Sequence, residues 1–446
     1  MSVDYMNLQG KKCPCGKEHS LTIDKVIIGK GAINEIPKIL NEYKCTKPFI
    51  LSDIYTEEAA GKSVKELLKS EKISFSEYVF QSENLKPDEK SVGSAVMHFD
   101  NSCDIIIAAG SGVINDIGKI LSTLTNKKYI IVATAPSMDG YASLGSSMEM
   151  DGVKTSLNSR CPDVIIGDTD ILKNAPLKML KSGLGDMLAK LISIGEWRIS
   201  SLISGEYYCE NVAKLMRNAV KRCTDNAEGL LKRDEKAVEA VFEGLVIAGA
   251  AMAYAGISRP ASGVEHYFSH IWDMRGLEFG TKVDFHGIQC AIGTLYASKL
   301  YDEIRAFKPN KEQAKEQALR FMENFSLEDY HTELKEFIGE PALTMIELEK
   351  KEKKYDKAKH RERLDIILNN WDEIIKIIEE EIPSSEYIEK LLILIDAPKT
   401  VEDIGLKKDI LPMTFKATKD IRDKYVLSRL CFDLGIIDKM CNILKE

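Results

Sequence analysis

Residues 104–116 read Asp-Ile-Ile-Ile-Ala-Ala-Gly-Ser-Gly-Val-Ile-Asn-Asp, an apolar run that leads through two glycines into a helical pattern. A Gly-rich turn between a strand and a helix lets backbone amides approach a diphosphate, and the helix N-terminus adds positive potential. The turn departs from Gly-x-Gly-x-x-Gly because Asn115 occupies the third glycine position. Dinucleotide binding and a plain tight turn are therefore both open interpretations of this stretch.

Strand and helix patterns alternate on both sides of this turn. Apolar runs predict strands at 21–28, 48–51, 75–80, 104–108 and 129–133, and helical patterns fall at 32–41, 57–68, 90–97 and 113–124. Strands separated by helices of this length need parallel crossovers, and continuously apolar strands are buried on both faces. The sequence predicts an α/β fold with a doubly wound parallel sheet.

Beyond Pro176 the strand patterns almost vanish and helical periodicity dominates. We therefore predict two domains, an α/β dinucleotide-binding domain at 1–172 and an α-helical metal- and substrate-binding domain at 173–446. The second carries a charged insertion near 345–380. Mixed charges at 347–363 favour a solvated helix or an exposed insertion, with a local anion-binding role as the alternative.

Composition excludes several classes of function. The 446 residues include 61 Lys+Arg and 69 Asp+Glu, which gives a net charge of −8 and argues against a nucleic-acid partner or an anionic membrane. The apolar runs are shorter than the roughly 20 residues that a membrane span needs. Ten scattered cysteines and a polar N-terminus favour thiols in a reducing compartment. We expect a cytoplasmic protein with a small-molecule substrate, no nucleic acid and no membrane span.

One local cluster of soft ligands lies near the N-terminus, in Cys13-Pro-Cys15-Gly-Lys-Glu-His19. Three such side chains within seven residues are able to hold a metal ion. The Cys-x-Cys spacing departs from the usual Cys-x₂-Cys, and no fourth ligand is evident. A structural zinc site and an ordinary N-terminal segment both remain open.

A second polar segment follows the predicted strand at 129–133. Ligands of open parallel sheets bind beyond the carboxyl ends of the strands, which is where residues 134–143 must lie. The segment offers the hydroxyls of Thr134, Ser137 and Ser143 and the carboxylate of Asp139. The alternative is that its Pro, Ser, Asp and Gly residues only form turns.

The third constellation joins an acid to three clustered histidines. His266 and His270 are spaced i, i+4 and project from one helix face, His286 follows 20 positions after His266, and Asp186 lies in Gly-Leu-Gly-Asp. Imidazoles with a carboxylate suit a divalent metal site that keeps an open position for substrate. The pattern is not His-Glu-x-x-His, because Tyr267 occupies the Glu position. Hydrogen-bonded structural histidines are the alternative.

Taken together and in this order, these motifs resemble the iron-containing alcohol dehydrogenase and glycerol dehydrogenase superfamily. Residues 135–143, 182–190 and 263–270 are similar to its sn-glycerol-1-phosphate dehydrogenase branch, and the resemblance runs from about residue 22 to the C-terminus. It implies a dehydroquinate synthase-like fold and an oxidoreductase of glycerophospholipid metabolism. The implied reaction is metal-dependent, NAD(P)-linked hydride transfer at C2 between sn-glycerol-1-phosphate and dihydroxyacetone phosphate. The alternatives are a glycerol dehydrogenase for unphosphorylated polyol and a 3-dehydroquinate synthase-like lyase.

The resemblance also implies roles for individual residues. Asp186, His266 and His286 would bind the metal, most often Zn²⁺ with Ni²⁺ or Fe²⁺ as alternatives, and the catalytic residues would be Asp139, His270 and Asp186. NAD or NADP would contact Asp53, Gly112, Val113, Ile114, Asn115, Asp116, Thr134, Ala135, Pro136, Ser137 and Ser143. Ser111 stands where many members of the superfamily carry Gly. A homodimer is a further expectation from the resemblance.

Overall fold

The computed structural model of the chain describes residue 10, residues 12–150 and residues 153–445. Its contacts form two compact units, one with residues up to 187 together with 211–257, the other with 188–210 and the residues from 258 onward. One division falls inside the helix Leu177–Ser204 and another at the first residue of the helix Glu210–Asp225. The boundary at 172–173 stays a prediction, and the division by contacts places residues 211–257 with the sheet.

The first unit is built on a six-stranded, wholly parallel sheet with the strand order β1-β8-β5-β4-β2-β3, and a separate antiparallel hairpin pairs β6 with β7. Every residue of β4 is buried, as expected for a strand covered on both faces. The strands are β1 Lys25–Gly29, β2 Pro48–Asp53, β3 Ser76–Phe80, β4 Ile105–Gly110, β5 Lys128–Ala133, β6 Gly145–Met150, β7 Val153–Asn158 and β8 Val164–Asp168.

Helices of the first unit connect and cover these strands, and a five-residue π-helical turn at 57–61 joins α2 to α3. They are α1 Ile36–Glu42, α2 Ile54–Thr56, α3 Lys62–Ser70, α4 Glu89–His98, α5 Gly112–Thr125, α6 Thr169–Leu172, α8 Glu210–Asp225 and α9 Glu235–Ala255. Helix α7 Leu177–Ser204 begins in the first unit, and its residues from 188 onward belong to the second. The predicted parallel α/β sheet is confirmed.

The remaining chain is helical, which confirms the predicted change of character after residue 176. Its helices are α10 Val264–Phe279, α11 His286–Ala306, α12 Lys311–Asn324, α13 Leu327–Ile338, α14 Pro341–Glu352, α15 Lys357–Asn369, α16 Trp371–Glu381, α17 Ser385–Leu394, α18 Leu411–Thr418, α19 Leu427–Asp433 and α20 Ile437–Ile443. Apolar side chains from these helices form one large buried cluster.

The charged stretch is less exposed than its composition suggests. Its outward faces carry the charges, but Glu349 and His360 are buried, and His360 Nε2 lies 2.9 Å from the carbonyl oxygen of Asp433. Arg363 donates two hydrogen bonds of 2.9 Å to the Asp433 carboxylate. The segment is thus fixed to the helical core by buried polar contacts.

Helix α9 is the one helix of the described residues that is long and apolar enough to cross a membrane by length and composition. Within the fold, 83% of its most apolar window is buried. Burial of this kind is typical of a core helix of a folded protein.

Two glycines let helices of the first unit lie directly on residues 134–143. A Cβ on Gly183 of α7 would come within 1.8 Å of the Pro136 carbonyl oxygen, and one on Gly249 of α9 would meet Ala142 backbone at 2.9 Å. Both contacts are with backbone, which cannot swing aside as a flexible side chain can.

The Gly183→Ala variant tests this close approach. We expect its free energy of unfolding to fall by about 1–3 kcal/mol, because the added methyl group must displace backbone. Urea denaturation measures the change. Gly93→Ala in α4 is the matched control, since a Cβ there meets no atom within 4 Å, and we expect it to be neutral or stabilising. Equal changes in the free energy of unfolding for the two variants would contradict the close approach of Gly183 to Pro136.

Candidate active site

The Gly-rich turn places the N-terminus of α5 at the carboxyl edge of β4. A Cβ on Gly110 would lie 2.3 Å from Ile114 Cβ, so glycine is required at this position. Ser111 has φ −107°, which any residue adopts, and the serine in place of a glycine therefore leaves the turn intact. Gly112, Val113, Ile114, Asn115 and Asp116 then form the first turns of α5.

Asp53 ends β2 at the same edge of the sheet. Strands β2 and β4 pair in parallel with Leu51 opposite Ala108, so Asp53 and the Gly-rich turn follow neighbouring strand ends. Its Oδ1 accepts hydrogen bonds from the backbone amides of Tyr55 and Thr56 at 2.9 and 2.8 Å. This cap fixes the carboxylate at the start of a helix.

Polar side chains of α5 form a hydrogen-bonded network with the segment 134–143. Asn115 Nδ2 donates to the Gly140 carbonyl oxygen at 3.2 Å. The fully buried ammonium of Lys119 contacts the same oxygen at 3.2 Å, Ser143 Oγ at 3.2 Å and Asp116 Oδ1 at 3.0 Å. The sequence analysis missed Lys119, although its i+4 spacing from Asn115 places both residues on one face of α5.

The other predicted contact residues follow β5 directly. The Thr134 amide donates to the Gly110 carbonyl oxygen at 3.1 Å, which ties the segment to the Gly-rich turn. The Ser137 carbonyl accepts from Ser182 Oγ of α7 at 2.9 Å, and the Ala135 carbonyl accepts from Tyr141 at 2.7 Å. All the residues predicted to bind the dinucleotide thus lie at or beside the carboxyl ends of β2, β4 and β5.

Asp186 is fully buried on α7, and its position is set by the same segment. The Asp139 backbone amide donates to Asp186 Oδ2 at 2.9 Å. Further along α7, Ser193 Oγ donates to the Pro260 carbonyl oxygen at 3.1 Å, and Glu196 Oε2 accepts from the Val264 amide at 2.9 Å. Within the second unit, these two contacts of α7 fix the start of α10.

Three histidines cluster where α10 and α11 begin. Ring centroids lie 5.1 Å apart for His266 and His286, 6.4 Å for His266 and His270, and 6.0 Å for His270 and His286. His266 is buried and the other two are partly exposed. The structure thus brings together the three imidazoles that the spacing singled out.

Hydrogen bonds orient two of these rings. His266 Nδ1 lies 2.9 Å from Glu265 Oε1, which also accepts a hydrogen bond from the Gly263 amide, so Nδ1 is the donor and Nε2 is left as the ligand atom. His286 Nδ1 lies 3.2 Å from Ser269 Oγ, a contact that orients this ring. A carboxylate or hydroxyl behind the imidazole is the usual support of a metal ligand. The sequence analysis missed Glu265, which directly precedes His266.

Cys290 is a further residue that the sequence analysis missed. It lies one helical turn after His286, and its Sγ is 3.5 Å from His286 Nε2. Asp186, His266, His286 and Cys290 each offer one ligand atom, and these atoms all lie within 4.8 Å of one another. Two imidazoles, a carboxylate and a thiol suit Zn²⁺ and other borderline divalent ions. The i, i+4 spacing from His286 was the available signal for Cys290.

Comparison with known proteins places the chain in a family. Residues 27–176 match the family model described as iron-containing alcohol dehydrogenase. A Bacillus licheniformis protein named glycerol-1-phosphate dehydrogenase [NAD(P)+] is 31% identical over 322 residues, covering 71% of this chain and 80% of the relative. A Pyrococcus furiosus protein of the same name is 34% identical over 280 residues, covering 62% and 78%. The chain belongs to the glycerol-1-phosphate dehydrogenase family.

Similarity to this family extends over nearly the whole chain. A glycerol-1-phosphate dehydrogenase [NAD(P)+] of Halalkalibacterium halodurans is 29% identical over 420 residues, which are 93% of this chain and 94% of the relative. Among solved structures, an iron-containing alcohol dehydrogenase of Corynebacterium glutamicum matches with a TM-score of 0.60 at 13% identity, covering 95% and 96% of the two chains. Glycerol dehydrogenase of Schizosaccharomyces pombe matches with a TM-score of 0.58 at 16% identity, covering 96% and 92%. At such identities these structures show the shared fold alone.

Glu196 is a second buried carboxyl group close to Glu265. Burial, followed by the charge of Glu265, raises the pKa of Glu196 to about 8, although the amides of Leu427 and Val264 oppose the shift. Glu196 therefore holds its proton at neutral pH. Glu265 Oε1, 2.9 Å from His266 Nδ1, is the carboxyl oxygen in contact with the imidazole.

The Glu265→Gln variant tests the support of His266. We expect metal affinity to fall by about 10–100-fold, because the amide no longer strengthens the imidazole as a ligand. Competition with a chromophoric chelator measures the dissociation constant. Glu278→Gln, an exposed change on the same helix, is the control and should keep the wild-type affinity. Unchanged affinity in Glu265→Gln would refute the role of this carboxylate.

Proposed function

We propose that the chain interconverts sn-glycerol-1-phosphate and dihydroxyacetone phosphate with NAD or NADP, using a divalent ion bound by Asp186, His266 and His286. The observation that carries the proposal is the grouping of the Asp186 carboxylate with two oriented imidazoles, joined by the Asp139 amide to the segment after β5. The relatives' names supply the substrate class and the cofactor.

The metal ligands fit a catalytic site. Without the Cys290 thiol as a ligand, two imidazole nitrogens and one carboxylate oxygen leave a coordination position for substrate, as in other catalytic zinc sites. A bound ion would supply Lewis-acid polarisation of the substrate oxygen. We propose Zn²⁺, with Ni²⁺ or Fe²⁺ as alternatives, because the donor set does not discriminate sharply among them.

Side chains around the ligands would handle the substrate and its proton. His270 lies one helical turn beyond His266 and is partly exposed, so it is placed to exchange a proton with the substrate hydroxyl or with water. The Asp139 carboxylate would contact the polyol, while its own amide holds Asp186 in place. In this proposal Asp139 orients the substrate and His270 exchanges its proton.

The dinucleotide would lie along the carboxyl edge of β2, β4 and β5. Amides at the start of α5 would bind the diphosphate, since an N-terminus without an acidic first turn favours an anion. The backbone of 134–137 and Ser143 would flank the nicotinamide half, and Asp53 would accept hydrogen bonds from the adenosine ribose. We further propose that the protein forms a homodimer and that it is located in the cytoplasm.

Substrate discrimination tests this function directly. We expect reduction of NAD or NADP with sn-glycerol-1-phosphate, and little or none with glycerol or sn-glycerol-3-phosphate. Chelation should abolish the reaction, and added divalent metal should restore it. Absorbance of the reduced nicotinamide measures each case. Reaction with unphosphorylated glycerol alone would overturn the choice of substrate.

The Asp53→Ser variant tests the ribose contact. Serine keeps the helix cap but removes a negative charge that would repel a 2′-phosphate. We expect the ratio of kcat/KM for NADP to that for NAD to rise at least about fivefold, because unit charges 4 Å apart repel by roughly 1 kcal/mol even in water. Asp24→Ser, an exposed change outside this edge, is the control. An unchanged ratio would place the ribose elsewhere.

A further inference from the structure

Residues 12–19 fold into a tight antiparallel hairpin at the edge of the first unit. Lys12 and Glu18 form an antiparallel bridge, and the Gly16 amide donates to the Cys13 carbonyl oxygen at 3.0 Å. Gly16 has φ +85°, a conformation that strongly favours glycine. The turn Cys13-Pro-Cys15-Gly16 therefore presents both cysteines at the tip of the hairpin.

His19 ends this hairpin as a buried and oriented ring. It is 1% exposed, and its Nδ1 lies 2.9 Å from the Tyr254 carbonyl oxygen. Because a carbonyl only accepts, Nδ1 carries the proton and Nε2 is the unprotonated nitrogen. That Nε2 lies 3.5 Å from Cys15 Sγ. A backbone carbonyl behind the imidazole is a recurrent support of metal-ligating histidine.

The fourth member of the group comes from a distant part of the sequence. Cys209 is 1% exposed, and the ligand atoms of Cys13, Cys15, His19 and Cys209 all lie within 4.8 Å of one another. Two residues beyond Cys209, Asn211 Nδ2 donates to Cys13 Sγ at 3.2 Å.

We propose that Cys13, Cys15, His19 and Cys209 bind a structural zinc ion, separate from the catalytic metal. Three thiolates and one imidazole form a complete tetrahedral set, which leaves no position for substrate. Zn–N and Zn–S bonds of roughly 2.0 and 2.3 Å put ligand atoms about 3.3–3.8 Å apart. The 3.5 Å separation of Cys15 Sγ and His19 Nε2 already meets that requirement.

The ion would fasten the N-terminal hairpin to Cys209, the residue that directly precedes α8. The hairpin already reaches the end of α9, where Lys17 Nζ donates to the Ala255 carbonyl oxygen at 3.0 Å and His19 contacts the carbonyl of Tyr254. Because such a site does not exist in the unfolded chain, its binding free energy stabilises the fold.

Zinc content of the full-length protein and its variants tests the proposal. We expect Cys209→Ser to lower bound zinc by one ion per chain, both in the wild-type background and in a His266→Ala background that lacks a ligand of the catalytic site. Cys103→Ser removes another buried cysteine outside the group and should leave the zinc content unchanged. Elemental analysis after dialysis gives the stoichiometry, and circular dichroism verifies folding.

X-ray absorption at the zinc edge provides evidence that does not depend on Cys209→Ser being folded. In the His266→Ala variant, we expect a first shell of three sulfur atoms and one nitrogen. The proposal is overturned by equal zinc content with and without Cys209, by a first shell without sulfur, or by a disulfide among Cys13, Cys15 and Cys209 in the unreduced protein. Thermal unfolding should also shift to lower temperature when this ion is removed.

Discussion

The hydrogen bond from the Asp139 amide to the buried carboxylate of Asp186 is the contact on which the site depends. It fixes the segment after β5, which flanks the proposed dinucleotide, to the helix that carries the proposed acidic ligand. The absence of a side chain at Gly183 brings that helix against Pro136. In the proposed site the same carboxylate would accept this backbone amide and bind the metal. The segment beside the cofactor and the acidic metal ligand are therefore positioned by one direct contact.

Two buried carboxyl groups, Glu265 and Glu196, lie near His266. Burial and the neighbouring charge of Glu265 raise the pKa of Glu196 to about 8, so Glu196 stays neutral. Glu265 then acts as the acceptor for His266 Nδ1. The chain's net charge of −8 would repel an anionic substrate and cofactor, and the α5 N-terminus and a bound divalent ion would offset this repulsion locally.

Local periodicity was sufficient to predict the five apolar strands that alternate with helices, and histidine spacing was sufficient to predict the cluster on α10 and α11. Periodicity did not predict strand β8, whose place between β1 and β5 is fixed by pairing with strands that are distant in sequence. Lys119 and Glu265 escaped notice because an isolated charged residue gives no sign of burial. Cys209 lies 190 positions beyond His19, and only the fold brings such distant ligands together.

The central claim is that one divalent ion binds Asp186, His266 and His286 and is required for turnover. An anomalous difference map from crystals of the metal-loaded protein, collected at the absorption edge of the bound metal, tests it most directly. The account predicts a peak within bonding distance of the Asp186 carboxylate and of Nε2 of His266 and His286. Active crystals with no anomalous peak at these three side chains would contradict it.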